Sequence, residues 1–169
     1  FEGYDYATIE IGEQCWFKEN LRTAKYANGD SILAAPNSGD WEQTTEGATG
    51  IYENLEQGVL AEDYFTEYGR LYNWYAASDT RGLCPTGWQV PTQDDFLSLR
   101  DFLGADSAGV QMKSSSADYP SWNGSNSSGF SGSAGGIGDT QYLNIGWNGC
   151  FWTRTFGDFT YVARGRRTE

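Results

Sequence analysis

Between Gly124 and Gly138, eleven of fifteen residues are Gly or Ser, and no other stretch restricts the possible folds so strongly. Such a tract ordinarily makes a flexible linker, and its glycines let the backbone wind. Phe130 and Ile137 interrupt it. These two side chains would anchor a winding, glycine-dependent loop, spanning 114–140, onto a core. The rest of the chain must therefore supply a domain in which long irregular segments are packed rather than repeated. No internal similarity with a period of 20–50 residues is present. At 169 residues the chain reads as a single domain, 1–169, able to bury roughly two-thirds of its unfolded surface.

One helix is legible, over 92–103. Thr92 is a natural N-cap, and Asp95 three residues later supplies the carboxylate of a capping box. Asp94 and Asp95 suit the positive end of the helix dipole. Phe96, Leu99 and Leu103 repeat on one face, Phe102 widens that stripe, and Gly104 stops the helix. Pro91 forces Val90 into extended geometry. Near the N-terminus, Tyr4, Tyr6, Thr8 and Glu10 alternate with Ala7, Ile9 and Ile11, which predicts a strand ended by Gly12. Asn28-Gly29 predicts a tight turn. Residues 35–68 are polar and acidic and read as a long surface loop with local ordering. Short strands are expected at 142–145 and 150–154.

Aromatic residues make up 16 % of the chain and charged residues only 20 %. Trp16, Trp74, Trp88 and Trp152 sit among apolar neighbours and are expected in the core. Trp122 and Trp41 lie in polar loops, where a ring beside Asn and Asp side chains could stack on a sugar face. The net charge of −12 repels phosphate backbones, so nucleic acid is excluded as a partner. No run of about 18 apolar residues is present for membrane insertion.

The chain contains no histidine. That removes the commonest general base and metal ligand, together with every Ser-His or Cys-His pair. Asp94/Asp95 and Glu62/Asp63 are sequence neighbours, better explained by helix capping and solvation than by paired catalysis. The EF-hand spacing is absent, and Asn28, Asp30 and Asp40 read as turn formers. No catalytic residue, metal or cofactor is expected, and the chain is read as non-enzymatic. Cys15, Cys84 and Cys150 match no metal spacing. They are disulfide candidates whose pairing stays open. Phe1 rather than Met opens the chain, as after removal of a leader or in a piece of a longer protein. An extracellular, cell-surface location is the expectation.

Three segments occur in a specific order: Ile11-Gly12-Glu13-Gln14-Cys15-Trp16-Phe17-Lys18-Glu19-Asn20-Leu21, then Tyr68-Gly69-Arg70-Leu71-Tyr72-Asn73-Trp74-Tyr75-Ala76-Ala77, then Cys84-Pro85-Thr86-Gly87-Trp88-Gln89-Val90-Pro91-Thr92. Ser128-Gly129-Phe130, Gly135-Gly136 and Phe151-Trp152-Thr153 continue the pattern. Together they resemble the Fibrobacter succinogenes major paralogous domain, found in surface and secreted proteins of Fibrobacter and Bacteroidota. The Gly87–Phe96 stretch is also similar to a segment of formylglycine-generating-enzyme relatives. That similarity implies an α+β, C-type-lectin-like fold: a small twisted antiparallel sheet, one principal helix and long irregular loops, with no activity carried over. Family members usually close with a Val-Arg-Cys strand. Here Phe159–Glu169 contains no cysteine, so either the ending has diverged or a closing strand is missing.

The chain is read as a non-catalytic structural or adhesive surface module, because it lacks histidine and opens on a strand-like, aromatic-rich run at Phe1–Ile11. The expected partner is a second copy, assembling into a filament with Tyr4, Tyr6, Thr8 and Ile9 in the contacting strand. The alternative is a glycan-binding module. Asp30-Ser31-Ile32 and Asp106-Ser107-Ala108 are similar to the O-glycosylation sites of exported Bacteroidota proteins, and Asn123 and Asn126 fit the N-glycosylation pattern. Ordinary turn capping is the competing account of Ser31 and Ser107.

Overall fold

The N-terminal alternation forms one arm of a hairpin. A computed structural model describes residues 1–34, 44–52, 61–138, 142–155, 161–162 and 166–167. β1 (Thr8–Ile11) pairs antiparallel with β2 (Gln14–Phe17), Ile9 facing Trp16 and Ile11 facing Gln14. Thr8 and Glu10 are exposed while Ile11 is buried, as a half-buried strand requires. Gly12 turns at φ +61° with the Phe102 ring packed over it, where a Cβ would meet the ring at 3.0 Å.

The chain continues through β3 (Leu33–Ala34), β4 (Ala48–Gly50), α1 (Ala61–Tyr68), β5 (Leu71–Tyr72) and α2 (Trp74–Ala77). Next come β6 (Trp88–Gln89), α3 (Gln93–Phe102), a 3-10 turn (Ala105–Ser107) and α4 (Ala108–Met112). The last strands are β7 (Gly135–Gly138), β8 (Tyr142–Ile145), β9 (Tyr161–Val162) and β10 (Arg166–Arg167). They form three small sheets: β1-β2-β10-β6, β3-β4-β5-β9 and β7-β8. Only β3–β4 is parallel among these strand pairs. The domain is thus mixed α/β, with small sheets and few helices, rather than built on one antiparallel sheet.

α3 begins where the sequence predicts. The Thr92 hydroxyl accepts from Asp95 N, and the Asp95 carboxylate accepts from Thr92 N at 2.7 Å. Gly104 ends it at φ +81°. The Asn28-Gly29 turn is also present: Asn28 Oδ1 accepts from Asp30 N, and Gly29 N donates to Tyr26 O.

Trp16, Leu99, Leu103 and Phe130 form one core cluster; Phe17, Leu21, Tyr72, Leu83, Val90 and Trp152 form another. Trp88 stacks on Phe17 at 3.9 Å, and Trp16 meets Phe96 at 5.1 Å. The Gly/Ser tract is pinned at Phe130, which is fully buried edge-on to Trp16 and Phe151, whereas Ile137 is only half-buried and sits in β7, a regular strand paired with β8 rather than a winding loop. Single parallel bridges, Lys113 to Gly132 and Ser115 to Gly124, bring the tract against the end of α4. At Gly124 a Cβ would fall on the Lys113 backbone, so this close approach requires glycine.

Three expectations are corrected, and the open question of the C-terminus is decided for a diverged ending. Within 35–68, the described residues include a buried strand, β4, and the helix α1, not surface loop alone. Small Ala48 and Thr49 fit between β3 and β5, and Tyr64 of α1 meets Tyr52 edge-on at 5.0 Å. Residues 150–154 form no strand; Trp152 is buried there, its indole N–H donating to Tyr72 O at 2.7 Å. Phe102 does not widen the buried stripe and is 65 % exposed, lying over the Gly12 turn at the rim of the core. The closing position is filled without a cysteine, since β10 sits between β2 and β6.

Candidate functional site

The carboxylates singled out from the sequence are used by the fold. Asp95 belongs to the helix cap, while Asp94, Glu62 and Asp63 are exposed on first turns of helices. Asp118 accepts from Ser115 Oγ at 2.7 Å, Ser115 N at 2.6 Å and Asn126 Nδ2 at 3.2 Å. The Ser115 hydroxyl, and next its amide, hold its carboxyl below the ordinary range. Among the described residues no group of three or more Cys, Asp or Glu side chains gathers as a metal site.

The motif residues serve architecture. Asn20 Nδ2 donates to Tyr68 O at 2.9 Å and Ser133 Oγ at 3.1 Å, joining three separated segments. Asn73 caps α2: its Oδ1 accepts from Ala76 N and Ala48 N, each at 2.9 Å, and its Nδ2 donates to Glu46 O. Gly69 turns at φ +75°, where a Cβ would lie 2.8 Å from Leu21 O.

The residues proposed from sequence are scattered. Trp41 lies outside the described residues. Trp122 is half-buried, its ring 2.9 Å from where a Gly149 Cβ would sit and 4.8 Å from the Lys113 ammonium, so it anchors a loop. Asn126 is tied to Asp118 and Ser131 as an internal staple, whereas Asn123 is exposed with its Oδ1 3.4 Å from Lys113 Nζ. Ser31 is exposed beside the Asn28 turn, and the Ser107 hydroxyl donates to Leu103 O at 2.9 Å. All three cysteines are free; Cys84 is fully buried, which pushes its thiol far up.

Of the expected assembly residues, Thr8 and Ile9 lie in β1, while Tyr4 and Tyr6 precede it and are held within the subunit. The Tyr4 hydroxyl donates to Glu19, Tyr6 stacks on Phe17 at 4.7 Å, and the Tyr6 hydroxyl accepts from Arg22 N. Burial pushes the Tyr6 phenol up to about 12.

Two features escaped the sequence reading. Among the described residues the most exposed aromatic rings are Trp147 and Tyr119, each 80 % exposed. Trp147 stands at a turn made by Asn144 (φ +60°) and Gly146 (φ +79°). The turn formers around it were the available signal. The second is a cavity of about 530 Å³ lined by Tyr4, Tyr6, Arg22, Phe65, Thr66 and Arg70, together with Phe1–Gly3 and Thr23–Ala24. Its parts come from three regions of the chain, and no local pattern marks it.

No curated protein and no solved structure matches the chain. The family profile described as the Fibrobacter succinogenes major domain matches residues 9–164, a span that holds the Trp16, Asn20, Asn73, Trp88 and Trp152 framework. The chain belongs to the Fibrobacter succinogenes major domain family.

Proposed function

We propose that the chain is a non-catalytic, extracellular surface module with a C-type-lectin-like fold that joins copies of itself along the outer edge of β1. The observation that carries this reading is the place of β1 at the end of its sheet. A two-residue turn makes Ile11–Gln14 a hydrogen-bonded pair, and alternation makes Ile9–Trp16 the next one. The bond from Lys18 N to Ala7 O at 2.9 Å continues the series. The N–H and C=O groups of Thr8 and Glu10 therefore point away from β2, and a strand from another subunit completes them. A head-to-tail contact of that kind does not close on itself and propagates as a filament.

The extracellular placement rests on the resemblance to surface and secreted domains. The non-catalytic reading rests on a sequence without histidine and on carboxylates already used as caps and staples. The lectin-like fold draws its support from the irregular segments packed on small sheets and from the Gly87–Phe96 stretch that leads into α3.

Thr8→Pro tests the contact. Proline removes an outward N–H and leaves the rungs to β2 intact. Intact protein should form filaments at high concentration, visible by electron microscopy and light scattering, and the variant should stay monomeric with an unchanged melting temperature. Intact protein that remains monomeric, or a variant that polymerises equally well, overturns the reading.

The exposure of Trp147 between Asn144 and Asn148 favours a second reading, a glycan-binding surface. Glycan-array binding that survives Trp147→Ala rules that ring out. Sugars attached at Ser31 or Asn123 are compatible with either reading, and an intact mass equal to the bare chain excludes them.

A further inference from the structure

The cavity between the N-terminal segment and α1 combines cationic and aromatic walls in a chain of net charge −12. Its charged lining side chains are Arg22, which is paired with Glu19 at 3.4 Å, Arg70 and Glu2. Glu2 is already engaged: its carboxylate accepts from Thr23 Oγ1 at 2.6 Å and Ala24 N at 3.0 Å, with Lys25 Nζ at 3.8 Å, and the Arg70 charge also acts on it without a hydrogen bond between them. Arg22 is also committed, donating through Nη1 to Phe65 O at 2.5 Å and through Nη2 to Thr66 O at 3.1 Å.

Arg70 differs. Its Nε donates to Arg22 O at 3.0 Å, and its guanidinium lies 5.2 Å from the centre of the Phe65 ring. These two contacts fix the plane of the group while both Nη atoms have no hydrogen-bond acceptor among the described residues. A planar fork held in this way matches a carboxylate bidentately. Tyr4, Tyr6 and Phe65 line the same cavity, and Arg22 sits 4.8 Å from the Tyr4 ring. A volume of about 530 Å³ falls within the range of small-molecule sites.

We propose that this cavity binds a small cyclic carboxylate, with Arg70 pairing the carboxylate and the Tyr4, Tyr6 and Phe65 rings packing on the ligand's ring. A uronic-acid sugar and an aromatic carboxylate both present this chemistry. None of Thr8–Ile11 lines the cavity, so this proposal and the assembly reading fail independently.

The test is calorimetry and saturation-transfer NMR on the 169-residue chain with glucuronate, phenylacetate and their neutral counterparts, glucuronate methyl ester and phenylacetamide. At least one acid should bind about tenfold tighter than its neutral counterpart, as expected for a charge-assisted pair. Which acid binds identifies the source. Arg70→Gln should erase that preference, and Arg70→Lys should restore part of it. Thr66→Trp, at an exposed lining position, should block the acid without changing the melting temperature. Equal binding of acid and neutral forms, no binding of any of the four, or a folded Arg70→Gln chain that binds like the parent would each overturn the proposal.

Discussion

Asn73 satisfies three backbone groups with one side chain that is 7 % exposed, and Asn73→Ala removes all three contacts together. Loss of the α2 cap, the bond to Ala76 N, costs about 1 kcal/mol. Ala48 is fully buried, and its stranded N–H adds about 2 kcal/mol of uncompensated desolvation. Glu46 is exposed, so water replaces the third bond at little cost. The sum is about 3 kcal/mol, equivalent in a chain of this size to a fall in melting temperature of about 6–12 °C. Urea unfolding followed by tryptophan fluorescence should show the midpoint dropping by about 1.5 M at a slope of about 2 kcal/mol/M. Asn73→Asp keeps the acceptor for both amides and should recover more than half of the loss. A destabilisation below about 1 kcal/mol, or an Asp variant as weak as Ala, would refute the assignment of these bonds as the staple between β4 and α2.

Phe130→Ala should destabilise by about 3–5 kcal/mol, because the fully buried ring is the main apolar anchor of the Gly/Ser tract; an unfolding midpoint close to the parent's would show that the tract is held otherwise. Asp79 titrates below its ordinary 3.8, chiefly through its hydrogen bond from Arg81. A depressed folded-state pKa contributes stability above the unfolded value that is lost as pH falls through the folded one. The stability gap between the parent and Asp79→Asn should therefore hold steady at neutral pH and shrink below about pH 4, as read by urea titrations across that window.

The features carried by contiguous residues were legible in the sequence. Thr92 and Asp95 make the cap, Asn28-Gly29 makes its turn, and Gly104 ends the helix, because capping and positive φ depend on residues within one turn of each other. The burial of Trp16 and Trp152 followed from apolar neighbours, and the role of Phe130 from its isolation among glycines and serines. The family resemblance reached further still, since its motifs mark positions that the core and the backbone staples occupy.

Tertiary structure alone decided what depends on distant segments meeting. Asn73 reaches Ala48, and Trp152 reaches Tyr72 across 80 residues. Arg166–Arg167 enters between β2 and β6, a place that its charged sequence does not advertise. Trp122 and Trp147 both lie in polar, turn-rich surroundings, yet one packs on Gly149 and Lys113 while the other stands 80 % exposed. Arg22 and Arg70 face one cavity because a backbone bond to Arg22 O orients Arg70. Local propensity acts over a few residues, whereas exposure, sheet order and cavity lining are set by the whole packed chain, so the former can be read in one dimension and the latter cannot.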